Sequence, residues 1–170
     1  GMFMPDANAS YNAGGVSYIV TANEGDSRDY DGYSEEERVK DLALNATYYP
    51  NAATLQTDAD LGRLKTTTAT GDYDNNGTIE QIYSYGARSF SIFDEYGNLV
   101  FDSADEFGQK IASEEPSLFN EDEGELDGRS DDKGGEPEAV EIGTIDGVTY
   151  AFIALERQSA LLMYDITDPK

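Results

Sequence analysis

The chain has 170 residues, enough for one domain with a sizeable core and too few for two comfortable ones. Eleven basic residues stand against 35 acidic ones, and the net charge of −24 makes nucleic acid and anionic membrane surfaces poor partners and divalent cations good ones. Histidine and cysteine are both absent, which excludes imidazole zinc sites and Ser-His-Asp triads, demands no oxidising compartment, and leaves the chemistry to carboxylates, Lys, Arg, Tyr and water.

No apolar run approaches the roughly 18 residues that a membrane span needs, and the opening GMFMPD is not a signal peptide. The chain reads as a piece of a larger secreted protein whose targeting segments lie elsewhere. Residues 2–15 are small and polar, ending in Gly14 and Gly15, and are expected to form a loop. Residues 16–22 (VSYIVTA) are rich in β-branched and aromatic side chains and read as a strand. That strand runs into Asn23, Glu24, Gly25 and Asp26, with Arg28, Asp29 and Asp31 close behind, so charge sits at the mouth of a sheet; a plain polar turn reads equally well. Ser34 followed by Glu35, Glu36 and Glu37 has the form of a capping box, and the glutamates favour the positive end of a helix dipole, which predicts a helix of two to three turns carrying Val39, Leu42 and Leu44. Residues 45–61 hold no period, although a second short helix fits 57–61. The stretch 27–62 is therefore a partly helical insertion. Residues 63–70 (RLKTTTAT) return to β-propensity.

The stretch that organises the chain is 71–93, which begins GDYDNNGTIE. Asp72, Asp74 and Asn76 place an oxygen at every second position, Gly77 permits the sharp turn, and Glu80 can close the shell. A hard cation such as Ca²⁺ takes about 6 to 8 oxygens at roughly 2.3 to 2.6 Å, and alternate carboxylates on a tight turn supply a good part of them. An EF-hand would need a glutamate at the twelfth position, where this chain has Tyr83. The nine-residue D-x-D-x-N-G-x-x-E form instead resembles calcium loops in β-hairpins of integrin-type propellers. The competing reading is a solvated turn, since Asp, Asn and Gly favour turns for local reasons alone. The residues that follow, Ile82, Tyr83, Tyr85, Phe90, Ile92 and Phe93, are strand formers.

Residues 89–94 (SFSIFD) and 99–102 (LVFD) form a predicted antiparallel hairpin around Gly97, and Phe107 and Ile111, four apart, predict one or two helical turns within 104–112 before Pro116 breaks the run. A long acidic loop, 113–138, follows. Its composition is that of a disordered linker, while Arg129 and Lys133 offer internal pairs to the carboxylates and a bound metal would hold it better. The end is the clearest β signal: AVEIGTI, VTYAFIAL and LLMYDI read as three strands, the first two joined by Asp146 and Gly147 as a tight turn. Glu156 and Arg157 interrupt the apolar run and are expected to pair with each other's neighbours at a strand end. Tyr48, Tyr49, Phe90, Phe93, Phe101, Phe107 and Phe152 are expected in the core rather than as ligand stackers.

Four phrases, YIVTANEGDSRDY, GARSFSIFDEYGNLVFDS, GRSDDKGGEPEAV and TYAFIALERQSALLMYDITDP, resemble the choice-of-anchor I family of bacterial surface proteins, whose relatives also carry the names mesenchyme-specific cell surface glycoprotein and alkaline-phosphatase-like. The resemblance covers nearly the whole chain. It implies a β-propeller, a larger parent chain and an extracellular, cell-surface or periplasmic setting. Propeller repeats run about 40 to 50 residues, so the expected fold is mainly β, a fragment of two to three antiparallel blades within one partial domain, 1–170. An open arc leaves strand edges that can pair with the rest of the parent or with a second copy.

Two functions compete. The first is a calcium-stabilised binding, adhesion or scaffold module, with Asp72, Asp74, Asn76 and Glu80 as ligands and a protein, glycan or phosphoester partner left open. The second is a metal-dependent phosphoesterase fragment, in which Glu24, Asp26, Asp131, Glu136 and Glu138 converge to hold divalent metal while Arg129 or Arg157 clamps the anion.

Overall fold

The computed structural model describes all residues, 1–170. Two antiparallel sheets form the body. The first runs in the order β1-β2-β7-β8, from β1 (Ala7–Ala13), β2 (Val16–Asn23), β7 (Ser89–Asp94) and β8 (Leu99–Asp102); the second has β10 (Val148–Leu155) between β9 (Pro137–Ile145) and β11 (Ala160–Asp165). Two small ribbons lie in the connection from β2 to β7: β3 (Asp29–Tyr30) with β4 (Tyr33–Ser34), and β5 (Glu36–Arg38) with β6 (Lys65–Thr67). The only α-helices are α1 (Ala52–Leu55) and α2 (Glu106–Glu114). No helix is long and apolar enough to cross a membrane. The chain is mainly β, and none of its sheets closes on itself.

Alternation explains the core. In β10, Ala151, Ile153 and Leu155 point inward at every second position; Val20 and Ala22 do so from β2, and Phe90 and Ile92 from β7. These meet Val140, Ile166 and, from α2, Phe107 in one cluster shared by both sheets. Phe90 is fully buried with Tyr164 packed 4.6 Å from its ring centre, an aromatic contact that adds to its area term. On the opposite face of the first sheet only the end around Asn23 and Ser89 is buried, and it is polar. There the Asn23 Nδ2 donates to the hydroxyls of Ser89 at 3.1 Å and Ser91 at 2.7 Å, and both serines donate to Asp102 Oδ2. Each member has a partner, so the layer escapes the cost of unpaired buried groups.

Several expectations are corrected. Residues 7–13 are not loop but β1, paired with β2 from Ala7 opposite Ala22 to Ala13 opposite Val16. Its inward residues are Ala7, Ala9, Tyr11 and Ala13, too weakly apolar to announce a strand. Gly14 and Gly15, with φ of 59° and 84°, make the tight turn that the right-handed twist favours. The helix expected at 34–44 is absent: Glu35 is drawn to Arg28 and Thr67, Glu36 to Lys65, and the segment forms β5 and a 3-10 turn, Val39–Asp41. The short helix lies at Ala52–Leu55 rather than 57–61. Of the strand formers between Ile82 and Phe93, only those from Ser89 onward enter a strand, so the Asp72 loop sits in irregular chain and not in a β-hairpin. Tyr48 is exposed rather than core. The 89–102 hairpin, the helix around Phe107 and the three final strands stand where the pattern puts them.

Candidate functional site

Two groups of carboxylates stand out. The first is built on the 71–80 loop. Gly71 O accepts the N–H groups of Glu80 at 2.8 Å and Gln81 at 3.2 Å, which cinches the loop at its base. Inside it, Asp72 accepts from the backbone N–H of Asn76 at 3.1 Å and of Gly77 at 2.8 Å, and Asp74 accepts from Asn76 Nδ2 at 2.9 Å. Glu80 is 8% exposed and arrives from the far side, its Oε1 accepting from Asn45 Nδ2 at 2.8 Å and its Oε2 from the Tyr73 N–H at 2.9 Å. Asn45 is carried by a segment that meets the loop through the Leu44–Ile79 bridge, and Ile79 packs beneath it with Val39 and Leu42. Side-chain oxygens of Asp72, Asp74 and Glu80 all lie within 4.8 Å of one another. At that separation two unit charges repel by about 1 to 3 kcal/mol at effective dielectrics of about 80 to 20. None of the three is in an ion pair with Lys or Arg, so the charge is gathered without a protein cation to offset it. Asn76 turns its Oδ1 to Thr78, accepting from its N–H at 2.8 Å and its hydroxyl at 2.7 Å.

The second group joins three distant pieces of chain. Glu24 follows β2, Glu136 precedes β9, and Glu156 follows β10; their carboxylate oxygens also lie within 4.8 Å of one another. Glu24 is brought in by a close crossing of backbones: a Cβ on Gly25 would strike the amide of Gly86, and one on Gly86 the carbonyl of Glu24, so both positions require glycine. Glu136 is fully buried and sits at φ 52°, a strained conformation held by its surroundings. Here the charges are answered. Arg129 bonds Glu136 Oε1, Arg157 Nε lies 3.2 Å from Glu136 Oε2, and Lys133 Nζ lies 2.6 Å from Glu24 and 3.6 Å from Glu136.

Of the residues expected to converge, Glu24 and Glu136 are brought together, and Asp26 joins their edge through Lys133 at 3.5 Å. Glu138 is exposed; partial desolvation, then the charges of Glu156, Glu24 and Asp6, raise its pKa. Asp131 is directed elsewhere, to Arg38 at 2.8 Å and Arg63 at 2.9 Å, which hold its carboxyl below the usual range against the opposing effect of burial. The arginines proposed as anion clamps are occupied in these pairs. Sequence reasoning missed Asn45 and Glu156 as members of the two groups. Asn45 lies 35 residues from its partner and carries no motif. The sole hint for Glu156 was its place inside an apolar run.

The profile of the choice-of-anchor I domain matches residues 1–169. Among curated proteins the chain is similar to Gigasin-3a of Magallana gigas, 30% identical over 118 residues, which are 65% of this chain and 41% of that protein. The chain thus spans less than half the length of that relative. No solved structure matches it. The chain belongs to the choice-of-anchor I family.

Proposed function

We propose that the chain is a calcium-stabilised, surface-associated module of a larger extracellular protein, assembled from propeller-type β-sheets and serving binding, adhesion or scaffolding. The single observation that carries the calcium reading is the convergence of Asp72, Asp74 and Glu80 within 4.8 Å with no Lys or Arg among them. A divalent cation there relieves mutual repulsion and adds oxygen ligation, and the surplus of 24 negative charges favours its approach. Propeller architecture is supported by the four-stranded sheet, whose strands neighbour one another in chain order with the 24–88 connection inserted between the second and third. The edge strand β11 exposes Leu161 and Met163, which suits pairing with a further strand of the parent or of a second copy. Membership of the choice-of-anchor I family supports the surface setting.

The phosphoesterase alternative lacks comparable support, because its carboxylates are neutralised by Arg129, Lys133 and Arg157 and Asp131 faces other partners. Isothermal titration with calcium tests the proposal. One saturable site of about 10⁻⁴ to 10⁻³ M, as is usual for extracellular modules, is expected in the wild type and none in Asp72→Ala. Absence of heat in the wild type, or its persistence in the variant, overturns it.

A further inference from the structure

A cavity of 440 Å³ lies between α2 and the start of β9, beside the Glu136 group, whose chain neighbours Gly135, Pro137 and Leu155 help to line it. Its volume falls in the range of small-molecule sites, about 300 to 1,000 Å³. Phe107, Ile111, Phe119 and Leu155 give it apolar walls, and two polar side chains, Arg88 and Gln158, enter it. Gln158 is 4% exposed, and neither its Oε1 nor its Nε2 has a hydrogen-bond partner in the protein. A buried primary amide with both ends unpaired is costly, and such groups are rare unless something else satisfies them. Arg88 is half-buried and unmatched by any carboxylate; only its Nη2 is engaged, donating to the carbonyls of Ser130 at 2.8 Å and Asp132 at 2.7 Å. Burial pulls its pKa below the usual guanidinium value against the opposing charges of Asp132, Asp127 and Asp131, none of which comes into ion-pair contact with it. The other polar groups of the wall are already used: Asp105 accepts from Gln109 at 2.8 Å, and Asn120 donates to Ser130 at 2.6 Å.

The two free groups are held side by side. A Cβ on Gly134 would press on Arg88 at Cδ and Nε, and one on Gly135 would collide with the Gln158 amide, so these side chains lie over successive glycines whose Cα atoms are about 3.8 Å apart. That is the scale on which an acylated amino acid carries its amide and its carboxylate. We infer that the cavity binds an N-acylated amino acid with an apolar side chain: the carboxylate is held by the free N–H groups of Arg88, the ligand amide exchanges hydrogen bonds with both ends of Gln158, and the side chain packs between Phe107 and Ile111 of α2 and Leu155. The chemistry selects a single negative charge. One carboxylate answers one guanidinium, whereas a second anionic group would meet a protein of charge −24 without a matching cation. It also gives the double glycine of KGGEP, which links Lys133 to Glu136, a further reason to lack side chains, since a Cβ there would crowd Arg88 and Gln158.

N-acetyl-L-phenylalanine is the probe, titrated into ¹⁵N-labelled protein by NMR, with the Gln158 side-chain amide and the Arg88 Nε–H as reporters. Saturable shifts at both are expected at submillimolar ligand. N-acetyl-L-phenylalaninamide, which lacks the carboxylate, and 3-phenylpropanoate, which lacks the amide, are each expected to bind at least about tenfold more weakly. Because Arg88 also ties down the 130–132 turn, the variants are placed elsewhere: Gln158→Met removes the amide at similar size, and Ala112→Trp fills the exposed mouth from α2. Both are expected to keep the wild-type melting profile and lose the probe. Equal affinity for the three ligands, no saturation at millimolar probe, or undiminished binding in Ala112→Trp overturns the inference.

Discussion

The two carboxylate groups have the same count and spacing and opposite electrostatics. Around Glu136 every negative charge has a cation within reach, supplied by Arg129, Lys133 and Arg157, and the central carboxylate has no solvent exposure. Around Asp72 there is no cation, the loop is mostly exposed, and only neutral donors, the backbone and amide N–H groups and the Thr78 hydroxyl, face the oxygens. Proximity of acidic residues therefore does not by itself mark a metal site. The Glu136 group is a lock that ties β2, the acidic loop and the β10–β11 turn together; the Asp72 group has no protein cation to offset its charge.

Removing the centre of the lock should give the largest effect. Glu136→Ala takes from the mostly buried Arg129 and the partly exposed Arg157 the carboxylate they share and leaves them only Asp132 and Glu156, so the loss is expected toward the lower end of the about 3 to 5 kcal/mol seen when one partner of a buried pair is deleted. Urea unfolding should show this loss, equivalent to a fall in Tm on the order of 10 °C. A loss below about 1 kcal/mol would mean that the lock is not structural.

Calcium should act next in size, and only on the other group. With a Kd of about 10⁻⁴ M, 1 mM calcium stabilises the folded form by about 1.4 kcal/mol, or roughly 3 to 6 °C in Tm. Asp72→Ala should abolish that shift while changing stability without calcium by about 1 kcal/mol, since the half-buried side chain gives up two backbone N–H bonds but also relieves repulsion from Asp74 and Glu80. Glu136→Ala should keep the shift, because the two groups share no partner and independent sites add. Loss of the calcium shift in Glu136→Ala would break the comparison.

How much of this was legible in the sequence follows the distance between partners. The strands 16–22, 89–94, 99–102 and the final three are marked by β-branched and aromatic residues in alternation, and they appear where the pattern puts them. β1 was hidden because its inward residues are mostly alanine. The 34–44 helix was misread because glutamates suited to a helix start are recruited by Arg28 and Lys65 from outside the segment. The Asp72 loop could be read because its ligand spacing is local. The Glu136 group was legible only in part: Glu24 and Glu136 were expected to converge and do, whereas Glu156 was not expected there, and the pairing of Lys133 with Glu24, 109 residues away, is set by the fold alone.

A smaller effect concerns Glu35, a carboxylate intermediate between the two groups: its side chain is 5% exposed, but its partner Arg28 is 60% exposed. The hydrogen bond from Arg28, opposed by burial and aided by the Arg28 N–H and Thr67, lowers its pKa to about 2. A depressed folded pKa gives stability that is fully present above the unfolded value of about 4.5 and is lost as pH falls through about 2. Arg28→Ala should therefore lower stability at neutral pH, by an amount that solvent screening at the exposed Arg28 keeps modest, and the difference from the wild type, followed by urea unfolding across pH, should shrink as pH falls from about 4.5 toward about 2.

The least effect is expected where an ion pair has good geometry and no burial. Lys110 and Glu114 meet at 2.7 Å, one turn apart on α2, with side chains 56% and 61% exposed. Their separation is shorter than that of Arg157 and Glu136, so if distance set the energy this pair would be the stronger. Water decides otherwise, since each partner deleted here returns the other to full hydration, and such pairs contribute only about 0.2 to 0.5 kcal/mol. Lys110→Ala should thus shift the urea midpoint barely beyond error, and raising salt should erase even that difference. A loss approaching that of Glu136→Ala would show that contact distance, and not the solvent excluded around the charge, governs ion pairing in this acidic chain, and the contrast between the lock and the loop would lose its physical basis.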